Sequence, residues 1–188
     1  MMLKCLKARH IVSAWSDSCK LVLGQEKVED KSNEITAIPL LLKRLDLQGR
    51  IVTIDAMGCQ RDICQQIINQ GGDYVISLKG NQGNLHKDVA LWFEDANHSP
   101  DHLWQEWDKG HGRIEDRECR ATADIAWLQA VHNYTGLTSI AVVNSCRETS
   151  KGSQTERRYY ISSLVPNAEM IAKAARSLGY RELITLGS

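Results

Sequence analysis

Apolar positions along this chain change period several times, from strand-like alternation to helical spacing of three or four, and the changes predict an ordered series of elements. HIVSAW (10–15) and KLVLGQEKV (20–28), joined by the polar SDSC, predict a β-hairpin. KSNEITAIPLLLKRLDLQG follows, with Ser32 or Asn33 as N-cap, Glu34 in the first turn, a leucine-rich stripe and a terminating Gly49. It predicts a helix in which Pro39 fits only if the helix starts late or kinks. Ile51, Val52, Thr53 and Ile54 form a buried-strand pattern, released into a turn by Gly58. Gln60 to Asn69 carries Ile63, Cys64, Ile67 and Ile68 at helical spacing before Gly71 and Gly72, and Tyr74 to Leu78 is strand-like again. Leu85 to Ala96 predicts an amphipathic helix with Val89, Trp92 and Phe93 on a core-facing side. Strands follow around Trp104 to Trp107, Arg113 to Thr122, Thr138 to Asn144 and Arg158 to Leu164, and a helix from Ala168 to Leu178 closes the pattern after Pro166. The chain has no internal repeat and no low-complexity linker.

At 188 residues, 43% hydrophobic and 24% charged, the chain is expected to form one soluble globular domain. No apolar run reaches the roughly 18 to 20 residues of a membrane span, and MMLKCLKARH lacks the apolar stretch of a signal peptide, so a cytoplasmic protein without membrane partners is expected. The six cysteines show neither CxxC pairs nor a framework spacing, which predicts reduced thiols. His98 and His102 are four apart, but the intervening Pro100 argues against the helix that would join them in a metal site. A net charge of zero is awkward for nucleic-acid binding, which draws on phosphate neutralisation. Charges alternate in sign through HGRIEDRECR (111–120) and RETSKGSQTERR (147–158), however, so strand alternation can sort arginines to one side.

Asp55 is the candidate for chemistry. It ends the Ile51–Ile54 strand, and the carboxyl edge of an open α/β sheet is where ligands bind, so a carboxylate there can reach a metal or a phosphate. A turn or capping role is the commoner one for an aspartate after a strand. The residues alone leave both roles open.

Six blocks carry a resemblance: HIVSAWS (10–16), LVLGQEKVEDKSNEITAIPLL (21–41), VTIDAMGCQ (52–60), GGDYVISLKGNQG (71–83), HGRIEDR (111–117) and ERRYYISSL (156–164). In this order, across residues 8–177, they resemble the H-repeat-associated insertion-sequence transposases. That resemblance implies an α/β, mixed-sheet (α+β) RNase H-like domain with a DDE acid triad, of which Asp55 is the second acid. It implies Mg²⁺ as cofactor, since in-line phosphodiester cleavage and strand transfer are best served by two ions roughly 4 Å apart held by carboxylates. DNA, the ends of the insertion sequence, is the implied partner, with other transposase subunits besides.

The family's first acid lies on a strand upstream of HIVSAWS, central between the hairpin and the Asp55 strand, and Met1 to Arg9 contain no acid. Absence of that strand is expected to leave unpaired edges, with Met1 to Lys7 a candidate substitute strand that lacks the family's acid. The third acid belongs to a segment resembling H-W-G-I-E-N-S-L-H-W-V, where this chain reads LGYRELITLGS (178–188). Plausible codons for that segment, read in a shifted frame, give this tail, which makes Glu182 an out-of-frame coincidence. The domain is therefore expected to be incomplete: residues 8–97 hold the hairpin and strand–helix–strand core, 98–165 a β-rich insertion before the last strand and helix, and 166–188 the C-terminal helix and a frameshifted tail. Catalytic activity by this chain alone is not expected, and Mg²⁺ binding is expected to be weak or absent. The alternative is a DNA-binding or subunit-binding module that inhibits an intact transposase.

By the same resemblance, Lys79, Asn81 and Gln82 are placed to contact DNA backbone or order the metal site, though Gly80 to Gly83 also reads as a simple turn. Arg113 and Arg158 are further candidates for phosphate, with cross-strand ion pairing as the competing role. Alternation in ERRYYISS directs one of Tyr159 and Tyr160 to the core and the other outward.

Overall fold

The computed structural model describes residues 10–16, 18–28, 34–110, 113–150, 152–177 and 184–187. Among the described residues nine strands form one mixed sheet, in the spatial order β2 (Leu21–Val28), β1 (His10–Ser16), β9 (Ile184–Gly187), β3 (Ile51–Ile54), β4 (Asp73–Leu78), β8 (Gly152–Ser162), β7 (Ser139–Thr149), β6 (Arg113–Thr122) and β5 (His102–Gly110). The predicted hairpin is β1 (His10–Ser16) and β2 (Leu21–Val28), antiparallel, with a register shift between Ala14 and Trp15. The polar turn closes on itself, the Ser16 hydroxyl accepting the Cys19 amide at 3.1 Å.

The next helix, α1 (Glu34–Leu42), is shorter than the pattern predicts. Pro39 sits inside it, cannot donate to the preceding turn, and the helix ends three residues later rather than at Gly49. Ala37, Ile38, Leu41 and Leu42 are buried, and the exposed end is tied down from α2 by the Gln66 amide, which donates to the Pro39 carbonyl at 3.0 Å. The predicted caps Ser32 and Asn33 lie outside the described residues.

The strand–helix–strand unit forms as predicted: β3 (Ile51–Ile54), α2 (Arg61–Asn69) and β4 (Asp73–Leu78), with β3 and β4 parallel and Ile54 opposite Ile76. Gly71 ends α2 at φ +75°, where the Gly72 amide returns to the Ile67 carbonyl at 3.1 Å. Helix α3 (Asn84–Glu94) buries Val89, Trp92 and Phe93 as predicted. Strands β5 (His102–Gly110), β6 (Arg113–Thr122), β7 (Ser139–Thr149) and β8 (Gly152–Ser162) are an antiparallel meander longer than their apolar cores suggest. It extends the main sheet, because β8 pairs with β4. Between β6 and β7 lies α4 (Ala126–His132), a seven-residue helix whose period is too short to show in the sequence.

Alternation divides the core between the two faces. Ile54, Ile76, Val142 and Tyr159 pack on one side with α1 to α4, while Val75, Ala141 and Tyr160 pack on the other against Ile171 and Ala172 of α5 (Ala168–Ser177). Both Tyr159 (6% exposed) and Tyr160 (1%) are therefore core residues. The expected outward tyrosine does not exist, because helices cover the sheet on both faces at that point.

The largest departure concerns the tail. Strand β9 (Ile184–Gly187) runs between β1 and β3, parallel to β1 from Ala14 to Ser16 and antiparallel to β3 from Ile51 to Ile54. The position expected to have unpaired edges is thus filled by the C-terminal segment; Met1 to Lys7 lie outside the described residues. The physical reason combines strand propensity with the partners on either side. ITLG carries two β-branched residues, Ile184 and Thr185, Leu186 enters the core at 3% exposure, and the Thr53 hydroxyl donates to the buried Thr185 carbonyl at 3.1 Å. Glu182 lies outside the described residues.

Candidate functional site

Asp55 is the first residue beyond β3, at φ −67° and ψ 164°, and it caps a single 3-10 turn over Ala56–Gly58. Its Oδ1 accepts the Ala56 amide at 2.6 Å and the Ser77 hydroxyl at 3.1 Å, and its Oδ2 accepts Lys79 Nζ at 3.0 Å. The capping role left open by the sequence is present: one oxygen is held by the cap and by Ser77, and the other faces the lysine at the carboxyl edge of the sheet. Ser77 is the residue that sequence reasoning missed. The signal was available in the parallel pairing of Ile54 with Ile76, which puts the next residue of each strand side by side.

Lys79 begins a second 3-10 turn over Gly80–Gln82. The Gln82 carboxamide bridges the two turns, its oxygen accepting the Lys79 amide at 2.7 Å and its Nε2 donating to the Ala56 carbonyl. Gln82 thus fixes the separation between the turn that bears Asp55 and the one that bears Lys79. Asn81 is exposed at the rim of the same turn. Under this rim Cys59 is buried against the Tyr134 hydroxyl, and burial pushes its thiol up to about 11, which makes it an inert structural residue. Cys19, Cys59, Cys64, Cys119 and Cys146 are all free thiols.

Burial works to raise the Asp55 pKa, but the Ala56 amide, the Lys79 hydrogen bond and charge, and the Ser77 hydroxyl together hold it below the ordinary aspartate value. A depressed folded-state pKa contributes stability that is present above the unfolded value of about 3.9 and lost as pH falls through the folded value. With 41% of the Asp55 side chain and 61% of the Lys79 side chain exposed, solvent screens the pair and the contribution is small. Lys79→Met is expected to move the Asp55 carboxyl titration upward, read from its carboxyl carbon shift by NMR. An unchanged midpoint would show that the lysine does not hold the acid.

Of the two arginine candidates, Arg158 shares the face of this cluster and Arg113 is remote from it. Ser77 pairs with Tyr160, so Asp55, Ser77, Tyr160 and Arg158 all lie on the face covered by α5. Arg113 starts β6 opposite Thr149, which in turn faces Gly152. That row is eight residues along β8 from Tyr160, roughly 26 Å at 3.3 Å per residue. The structure does not bring Arg113 to Asp55.

The donor set at Asp55 is one carboxylate, one hydroxyl and an ammonium. Among the described residues no three His, Cys, Asp or Glu side chains form a metal-holding group. These residues do not fit a two-ion centre: Asp55 supplies a single anionic oxygen pair, and Lys79 already places a positive charge against it. No helix among the described residues is long and apolar enough to cross a membrane.

The chain shares 43% identity over 158 residues with an uncharacterized protein encoded in the dhlA 3′ region of Xanthobacter autotrophicus, covering 84% of this chain and 54% of that one. It shares 41% identity over 179 residues with the "H repeat-associated putative transposase YhhI" of Escherichia coli K12, covering 90% and 47%. It shares 48% identity over 112 residues with the similarly named YbfD of that strain, covering 58% and 44%. The chain spans about half the length of the curated relatives it matches. A solved structure, DesVI of Streptomyces venezuelae, overlaps with a TM-score of 0.30 at 13% identity, over 65% of this chain and 45% of that one, too slight a likeness to carry any statement about fold. The transposase DDE domain family matches residues 6–176, nearly the whole of the sheet and both helical layers, and the chain belongs to that family.

Proposed function

We propose that this chain is part of an RNase H-like transposase catalytic domain acting on DNA, in which Asp55 is the family's second acid, and that it does not join DNA strands by itself. The observation that carries this reading is the placement of Asp55 at the carboxyl end of β3, with Ser77 and Lys79 converging on it from the parallel strand β4. Divalent metal supplies the electrophilic assistance for phosphodiester displacement in such domains, and Mg²⁺ is the ion proposed here. The chain's own residues do less. Asp55 offers one carboxylate, Ser77 and the Ala56 amide orient it, and Lys79 balances its charge until a phosphate competes for the ammonium. One carboxylate is too few to hold two ions, so Mg²⁺ affinity is weak in this reading.

A strand-transfer assay with Mg²⁺ and terminal-repeat DNA is expected to give no joined product. Robust product that disappears in Asp55→Ala would overturn the proposed inactivity while confirming the role of Asp55. A second reading, in which the chain binds and inhibits an intact transposase, draws on β2, the edge strand among the described residues, where Leu21, Val22 and Leu23 are 42–47% exposed. Adding the chain to the same assay run with an intact relative tests it, inhibition supporting this second reading and undiminished product opposing it.

A further inference from the structure

The sheet face that carries Asp55 also carries a groove of about 430 Å³ between α5 and strands β6 to β8. Its lining includes Arg117, Arg147, Arg158 and Arg176, two glutamates, Glu115 and Glu156, and Tyr160 at its floor. No sequence motif marks this groove, since its arginines come from three strands and a helix.

Strand alternation assembles it. Arg158, Val143 and Cys119 share one row of the α5 face, Glu156, Ser145 and Arg117 the next, and Gln154, Arg147 and Glu115 the one after. Along the strand direction Arg158, Arg117 and Arg147 therefore advance by one row each, about 6.6 Å per step, with further separation across the sheet because they stand on β8, β6 and β7. The neighbouring Arg157 points to the other face, where its Nε donates to Asn144 at 2.8 Å. Over the lining, four arginines stand against Glu115 and Glu156, and Glu106 and Asp108 beside it pair with Arg176, so the arginines concentrate here with their charge balanced by carboxylates.

Each guanidinium is held in place by a carboxylate. Arg117 meets Glu115 at 3.1 Å, Arg147 meets Glu115 at 3.6 Å, Arg158 meets Glu156 at 2.7 Å, and Arg176 reaches Glu106 on β5 at 3.1 Å. Glu115 is 8% exposed and remains compensated by two arginines, whereas Glu156 is exposed and can yield its partner to a stronger anion. Arg147 and Arg158 are 50% and 40% exposed, open to a ligand from solvent. Planar guanidinium forks match phosphate oxygens bidentately, as they do carboxylates, so a phosphodiester can take the place of the exposed Glu156 on Arg158.

We propose that this groove binds the phosphodiester backbone of a DNA strand, with Arg147 and Arg158 as its principal contacts, and leads that strand along β8 toward the Lys79 and Asp55 edge. The proposal rests on DNA being the family's substrate, but concerns residues away from Asp55.

The test is fluorescence anisotropy of a labelled single-stranded oligonucleotide against the full chain, from 50 to 200 mM salt. The double variant Arg147→Gln with Arg158→Gln is expected to weaken binding and flatten the dependence of log K on log salt by about 0.7 per lost contact. Glu156→Gln, which removes the negative charge paired with Arg158, is expected to tighten binding. Arg157→Gln, one residue away on the opposite face, is expected to leave it unchanged. Melting curves by circular dichroism establish that each variant is folded, and the two opposite signs keep the result readable from Glu156→Gln should the double variant unfold. Equal binding by the double variant and the unaltered chain, equal weakening by Arg157→Gln, no tightening in Glu156→Gln, or no DNA affinity in the unaltered chain would each overturn the proposal. Strand transfer is read in a separate assay, so failure of the groove leaves the reading of Asp55 standing.

Discussion

Leu186→Pro is expected to unfold most of this protein. Leu186 lies in the four-residue strand β9, paired with Ser16 of β1 on one side and Val52 of β3 on the other, and its side chain is 3% exposed. Proline removes a ladder hydrogen bond and clashes within a central strand, and in interior positions of regular structure it costs about 3 kcal/mol or more. Loss of the leucine side chain from the core adds about 2 kcal/mol or more. Together these approach the total stability of an ordinary domain, roughly 5 to 15 kcal/mol. The consequence is specific, because β1 and β3 pair with β9 and not with each other. Opening β9 frees the β1–β2 hairpin together with one edge of β3, so amide exchange in both strands should accelerate together. Denaturant titration and hydrogen exchange measure this. A variant with unaltered midpoint and protected β1 and β3 amides would show that the tail is dispensable, as a frameshifted remnant without structural use would be. Leu186→Val should cost less than about 1.5 kcal/mol, since the β-branched residue keeps the strand and most of the volume.

Gly58→Ala carries the second largest effect. A Cβ at this position would lie 2.2 Å from Ile54 Cγ2 and 3.3 Å from Ile38 Cδ1, so both the end of β3 and helix α1 must move. Overpacking of this kind costs about 1 to 3 kcal/mol. The effect reaches the site because the Gly58 amide donates to the Asp55 carbonyl at 2.8 Å, which closes the turn that aims the carboxylate. A shifted turn should loosen the Gln82 bridge to Ala56 and the Asp55–Lys79 contact together. The expected result is a lower melting temperature accompanied by an upward move of the Asp55 titration. A large loss of stability with the titration unmoved would mean that the strand end gives way without disturbing the site.

The elements legible in the sequence were those whose burial follows one unbroken period. Ile63, Cys64 and Ile67 announced α2, and Val89, Trp92 and Phe93 announced α3, because each helix has a single covered side. The hairpin and the β3–α2–β4 unit follow from short-range turn chemistry. Strands β7 and β8 read shorter than they are, since their outer halves carry Arg147, Gln154 and Glu156, whose polarity looks like loop until they are seen paired. Helix α4 escaped because seven residues with two buried positions, Leu128 and His132, do not make a pattern.

At the site, the sequence placed Asp55 at a strand end and its resemblance supplied the expected role. It did not supply Ser77, nor the bridging of both turns by Gln82, nor the separation of Arg158 from Arg113 by several rows of the sheet.

What the chain's own order of residues determines is therefore the kind of each local element, the acid that ends β3, and membership of the DDE transposase family, because these depend on neighbours a few positions apart or on blocks of matching residues. Tertiary structure alone decided that ITLG would sit between β1 and β3, that both tyrosines of β8 would be covered, and that arginines from β6, β7, β8 and α5 would line one groove. Such outcomes depend on strand register and on which edges remain open when the rest has folded, and a shift of one residue in register reverses the face of every side chain in a strand.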